Sequence, residues 1–293
     1  MRVIRETSKL FHNVSFIVEK VCILCYYIYV LNFTTEKAMG KIIAFSNQKG
    51  GVGKTTTVIN LAAYVAMWKR KVLIVDFDPQ GNATSGFGVE KNNLELTCYD
   101  VLLGDNEARE VILPTMIENL SILPSNSDLA GAEVDLVSVP ARESVLKRAL
   151  APIKDDYDYI FIDCPPSLGL LTLNALVASD SVMIPIQSEF FALEGVAQLL
   201  NTFKLVKQRL NPNIYINGVV LTMCDMRTTL SKQVAAEIKK YFTEKIYTVP
   251  VPRNIKLVES PSFGVPVMLH APRSSGALAY QAIARQFIER EEK

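Results

Sequence analysis

Lys49-Gly50-Gly51-Val52-Gly53-Lys54-Thr55 places two lysines, three glycines and a hydroxyl in seven consecutive positions. That is the composition of a phosphate cradle. Glycine leaves φ > 0 open, so successive backbone N–H groups can converge on one anionic oxygen. The stretch Thr56–Lys69 behind it reads as a helix, and the unsatisfied first amides and dipole of a helix favour the same anion. In that setting Lys54 is expected to reach the β- and γ-phosphates of a nucleotide. The Thr55 hydroxyl is expected to ligate Mg²⁺, and Thr56 to donate toward the α-phosphate. The general pattern G-x-x-x-x-G-K-[ST] is not met in full, because its first glycine is missing and Lys49 precedes a glycine pair instead.

Two further acidic sites close apolar runs, where ligands of α/β sheets bind. Tyr159-Ile160-Phe161-Ile162-Asp163 ends in an aspartate expected to hold Mg²⁺ through a water. Asp76 and Asp78 end the run before Pro79-Gln80-Gly81-Asn82. Taken alone they could equally be turn or helix-capping residues.

These groups need a scaffold that brings distant strand ends together. From Lys41 onward, short β-branched runs alternate with longer helical patterns. Strands are predicted at Lys41–Asn47, Lys71–Asp76, Leu120–Pro124, Tyr159–Asp163, Ser181–Ile186 and Ile216–Met223, with helices such as Thr56–Lys69 and Ala192–Leu210 between them. Nearly continuous apolar strands are buried on both faces, as in a parallel sheet. The fold class is therefore α/β, a doubly wound, mostly parallel sheet of the P-loop nucleotide-triphosphatase kind. No repeat or low-complexity linker divides residues 39–293, which read as one domain.

The bulk numbers set limits. The hydrophobic fraction is 49%, the charged fraction 21% and the formal net charge +1, so no global field draws the chain to nucleic acid or acidic lipid. Five cysteines without regular spacing argue against a disulfide framework and for a reducing compartment. Residues 1–38 differ in texture. Their apolar run Val21–Leu31 has 11 residues, short of the ~20 that a membrane span needs, and no small-residue cleavage site follows it. The Cys22-x-x-Cys25 pair inside it has no second pair and no adjacent histidine. The expectation is either a misplaced upstream start, with Met39 as the true initiator, or a disordered N-terminal extension, and residues 1–38 are left out of the fold reading.

The loop K-G-G-x-G-K-[ST] resembles the deviant Walker A proteins. Within them, Asp76-Phe77-Asp78-Pro79-Gln80-Gly81-Asn82, Pro165-Pro166-Ser167-Leu168-Gly169, Pro252-Arg253-Asn254 and Glu259-Ser260-Pro261-Ser262 are similar to the chromosome- and plasmid-partitioning ATPases of the ParA/Soj type. The likeness runs from Lys41 to about Phe287, and the compact type without a large N-terminal DNA-binding domain fits best. It implies a slow, partner-stimulated ATPase using ATP and Mg²⁺. Lys49 would cross an ATP-sandwich homodimer to the partner's phosphates. Asp78 would orient or activate the attacking water, Asp76 would support the Mg²⁺ shell, and Pro252, Arg253 and Asn254 would lie near the base. Gly50, Gly51, Val52 and Gly53 supply the cradle itself.

The resemblance also implies non-specific DNA binding by the ATP dimer, a ParB-like centromere-binding partner, and a place on the nucleoid in the cytoplasm. Arg227–Lys256 holds seven Lys/Arg against two Glu. A solvated helix face explains such a run about as readily as DNA binding does. Arg227 and Lys256 match the positions assigned to DNA in relatives. A membrane-associated division-site or cargo-positioning ATPase is the main alternative. The tail Ala282–Lys293 opposes it, because three of its last five residues are glutamates and no bulky apolar face persists. A metabolic ligase of the same fold is a third reading, as is an iron–sulfur protein using Cys98 and Cys164, although the glycine-rich cluster context is absent.

Overall fold

In the computed structural model, the described residues are 40–189, 192–225, 227–242 and 245–292. The extension 1–38, its Cys22 and Cys25, and Met39 lie outside the described residues. Seven strands form one sheet in the order β3-β4-β2-β5-β1-β6-β7. They are β1 (Lys41–Phe45), β2 (Val72–Asp76), β3 (Leu113–Pro114), β4 (Leu120–Leu123), β5 (Tyr159–Asp163), β6 (Ser181–Gln187) and β7 (Tyr215–Thr222). Every pairing is parallel except that of β3 with β4. β3 is absent from the sequence-based strand set. With only two residues and a proline that cannot donate to a ladder, it sits where proline is tolerated, at the sheet edge.

The apolar runs are explained by burial on both faces. Ile42 and Ala44 of β1, with Ile160 and Ile162 of β5, enter one core layer. Their alternates Ile43, Phe45, Tyr159 and Phe161 enter the other. The first layer is closed by Leu170–Ala178 and Ala192–Arg209, the second by Lys54–Met67 and Ser275–Glu291. Phe45, Phe161 and Phe287 interlock edge to face, with centroids 5.1 and 5.5 Å apart.

Register positions the site. Phe45 pairs with Asp163, and Asp163 with Asp76. The C-terminal ends of β1, β5 and β2 therefore finish at one level. The strand predicted over Lys41–Asn47 stops at Phe45, since Ser46 and Asn47 already belong to the loop that leaves the sheet. No helix among the described residues is long and apolar enough to cross a membrane.

Candidate nucleotide site

The loop between β1 and the Lys54–Met67 helix is anchored at its two ends and turned by its glycines. The Asn47 amide donates to the Pro185 carbonyl at 2.7 Å, and its own carbonyl accepts the Lys49 N–H at 3.0 Å. Further on, Thr222 at the end of β7 donates to the Val52 carbonyl at 2.7 Å. Gly51 and Gly53 sit at φ +74° and +84°, a region closed to most other residues. Gly53 caps the helix without a side-chain acceptor. Thr57 bonds back to the Gly53 carbonyl at 2.7 Å and meets the Tyr280 hydroxyl at 3.0 Å, which ties the first helical turn to the C-terminal helix.

Three carboxylates converge behind this loop. Asp163 is fully buried, and neither of its oxygens has a hydrogen-bond partner. Burial pushes its carboxyl well above the ordinary range, and the neighbouring Asp76 charge adds to that. The Thr55 hydroxyl is close enough to oppose the shift without making a bond of normal geometry. Asp76 is also fully buried but satisfied. One of its oxygens accepts from both the N–H and the hydroxyl of Thr84, at 2.8 and 2.7 Å. Burial nevertheless raises it to about 6. Asp78 is buried and accepts the Gln80 N–H at 2.9 Å. Lys54 is only 7% exposed. Burial lowers its pKa, while the carboxylates of Asp163 and Asp78 pull the other way.

An unsatisfied buried carboxylate costs about 1–3 kcal/mol or more. A fold that leaves Asp163 bare beside a hydroxyl and a buried lysine has the donor set of a Mg²⁺–phosphate site. Thr55 could ligate such a metal directly through its hydroxyl, and Asp163 could accept from a metal-bound water.

On the other side of Gly53 lies a cavity of about 540 Å³ lined by Thr56, Thr222, Met223, Pro252, Arg253 and Asn254 among others. The structure thus brings the Pro-Arg-Asn segment to the same pocket as the loop, although some 200 residues separate them in sequence. Met223 holds φ +51°, an uncommon conformation for a residue other than glycine, directly at this pocket. Asn254 caps the helix Ile255–Glu259, its carbonyl accepting the Lys256 N–H at 2.9 Å, and its amide donates to Ser275 at 2.7 Å.

Lys49 stands apart from Lys54. Its side chain is 34% exposed and pairs with Glu189 at 3.2 Å; the other oxygen of Glu189 takes Arg253 at 3.0 Å. Glu189, Thr84 and Met223 are site residues that sequence reasoning missed. Glu189 lies 140 positions from Lys49, and no local spacing links the two.

The basic run is different in character. Arg227 is 91% exposed and forked onto Asp225 at 2.8 Å, a contact that holds the Asp225 carboxyl down at about 2. Lys256 pairs with Glu259 at 2.7 Å, one turn away. Arg227 shares a second surface cavity with Arg253; Lys256 is not among the residues lining it.

A doubly wound parallel sheet, a glycine-cornered loop at a helix start and carboxylates on neighbouring strand ends together define a P-loop nucleoside triphosphatase. A family profile described as an AAA domain matches residues 40–216. The sporulation initiation inhibitor protein Soj of Bacillus subtilis is 56% identical over 248 residues, 85% of this chain and 98% of that protein. The chromosome partitioning protein ParA of Myxococcus xanthus is 51% identical over 253 residues, 86% of this chain and 89% of that protein. Among solved structures, cobyrinic acid a,c-diamide synthase from Mycobacterium smegmatis with bound ATP analog and magnesium superposes with a TM-score of 0.77. It is 38% identical over 87% of this chain and 96% of that one. The chain belongs to the Soj/ParA family of chromosome-partitioning ATPases.

Proposed function

We propose that this chain binds Mg-ATP, pairs with a second copy over the nucleotide, and in that state holds DNA without sequence preference to drive partitioning of a chromosome or plasmid. The observation that carries the reading is the division of labour between two lysines on one loop. Lys54 is 7% exposed near the charge of Asp163, whereas the Lys49 side chain is 34% exposed and bridged to Glu189; in this reading it is the lysine that a second copy would meet.

In this reading Lys54 and the loop amides bind and orient the β- and γ-phosphates. Pro252, Arg253 and Asn254 wall the base. Thr55 and, through a water, Asp163 would hold Mg²⁺, which would supply neutralisation of phosphate charge beside that of Lys54. Asp76 stays fixed by Thr84 and supports that shell. Asp78, buried two residues on, would hold and orient the attacking water. Lys49 of each copy would add charge at the other's γ-phosphate, the role a trans-acting cation plays in phosphoryl transfer. A timer of this kind turns over slowly, and a ParB-like partner would accelerate it.

Pairing two chains doubles the phosphate contacts available to Arg227 and Lys256. Affinity gained that way acts through counterion release and weakens steeply with salt. Recruitment to the nucleoid would follow. An amide-ligase reading rests on the name carried by one relative at 38% identity. The partitioning relatives reach 56% and 51%.

The test is DNA binding at low salt with ATP, with ADP and without nucleotide. Wild type should bind tightly only with ATP. Lys54→Ala should lose that gain, and Asp78→Ala should keep it while hydrolysis stops. Equal DNA affinity in all three nucleotide states would end this reading.

A further inference from the structure

We propose that Glu189 is a latch, whose carboxylate holds both Lys49 and Arg253 and so withholds Lys49 from a second copy until a nucleotide competes for it. The inference rests on the reading that Lys49 acts across a dimer. Its geometry is independent of that reading.

One carboxylate bridges two cations that come from opposite ends of the chain. Oε2 takes Lys49 Nζ at 3.2 Å, and Oε1 takes an Arg253 terminal nitrogen at 3.0 Å. The Gln187 amide also donates to Oε1 and fixes the carboxylate plane. The backbone beneath is held to the end of β7. The Ser188 N–H donates to the Thr222 carbonyl at 3.2 Å, and the Ser188 hydroxyl meets the Cys224 sulfur at 2.8 Å. Lys49 is pinned at its own N–H by Asn47.

The balance of charge suits a latch rather than a permanent brace. Two cations share one carboxylate, so the three groups together carry net positive charge. The side chains are 34%, 41% and 66% exposed for Lys49, Glu189 and Arg253. Half-exposed pairs of this kind hold weakly, and a polyphosphate offers several charged acceptors against the single carboxylate. The triphosphate held by a second copy would compete with Glu189 for Lys49, and Arg253, which lines the base pocket, can stay on the carboxylate and weaken its hold on Lys49 through repulsion between the two cations. The latch therefore gives way to a loaded second copy rather than to an empty one.

The experiment measures the reactivity of Lys49 toward an amine-acylating reagent in nucleotide-free protein, read by mass spectrometry with exposed Lys69 as internal reference. Glu189→Gln should raise Lys49 labelling by up to about fivefold and leave Lys69 unchanged. The same variant should dimerise at a lower concentration of a non-hydrolysable ATP analogue with magnesium. Glu189→Asp, which keeps the charge but shortens the bridge, is the second variant and should lie between wild type and Gln. Equal Lys49 labelling in wild type and both variants, or dimerisation that needs more analogue, overturns the latch. Wild type that stays monomeric at saturating analogue overturns instead the reading of Lys49 on which the latch rests.

Discussion

The phosphate end of the sheet and the Arg227–Lys256 face carry charges of similar number in opposite physical states. At the phosphate end, Asp76 and Asp163 are fully buried and Lys54 is nearly so. At the other face, Arg227 and Lys256 are exposed and paired with a carboxylate two or three residues away. A buried charge costs stability unless something compensates it, so its presence is itself an argument for a ligand. An exposed charge costs almost nothing. The difference teaches that function can be read from the first region by energetics, whereas the second acquires meaning only through what binds it.

The largest effect that would sharpen this contrast is at Asp163. Asp163→Asn removes a carboxylate that has no hydrogen-bond partner and is offset only by the nearby Thr55 and Lys54, so the nucleotide-free protein should lose no stability, seen as an unchanged or raised Tm. Magnesium-dependent strengthening of ATP binding should fall about 10–100-fold, as for other residues that hold a metal through an outer contact. A lowered Tm in the nucleotide-free variant would show that the carboxylate is satisfied in some other way, and the comparison would break.

The next effect is in pH. The Asp76 carboxyl is raised from 3.8 to about 6 by burial. Between those values the folded chain keeps a proton that the unfolded chain has released. The contribution of Asp76 to stability is therefore fully present at low pH and lost as pH rises through about 6. Magnesium needs the charged form, so Mg-ATP affinity measured by calorimetry should weaken below about pH 6, by at most about tenfold per pH unit for one linked proton. Affinity flat from pH 7 to 5 would mean that Asp76 does not take part.

The smallest effect belongs to the exposed face. Arg227→Ala and Lys256→Ala should each weaken DNA binding of the ATP form severalfold and lower its salt slope by about one. Nucleotide affinity and Tm should stay unchanged. A change in nucleotide affinity would place these residues in the buried site rather than on the surface.

Most of the scaffold was legible because parallel strands buried on both faces write continuous apolar runs, and Tyr159–Asp163 shows one with its bounds intact. The loop from Lys49 to Thr55 was legible because its parts are contiguous. β3 was not, since two residues ending in proline have no periodicity to detect. The Thr84 clamp on Asp76 and the bridge from Glu189 to Lys49 and Arg253 were hidden for another reason. They exist only after β-strand register and loop return bring distant positions together, and spacing along the chain carries no trace of that. The run Arg227–Lys256 was visible as composition, yet the structure divides it. Arg227, Lys240 and Lys256 each pair with a carboxylate within three residues, and Arg253 turns toward the nucleotide pocket.

Sedimentation of the purified chain with magnesium and a non-hydrolysable ATP analogue, against ADP and no nucleotide, reaches the core of the account. Two chains should travel together with the analogue alone, and Lys49→Ala should return the protein to a single-chain species. A wild-type protein that sediments as a monomer in all three conditions would contradict the assignment of Lys49 and the switch built on it.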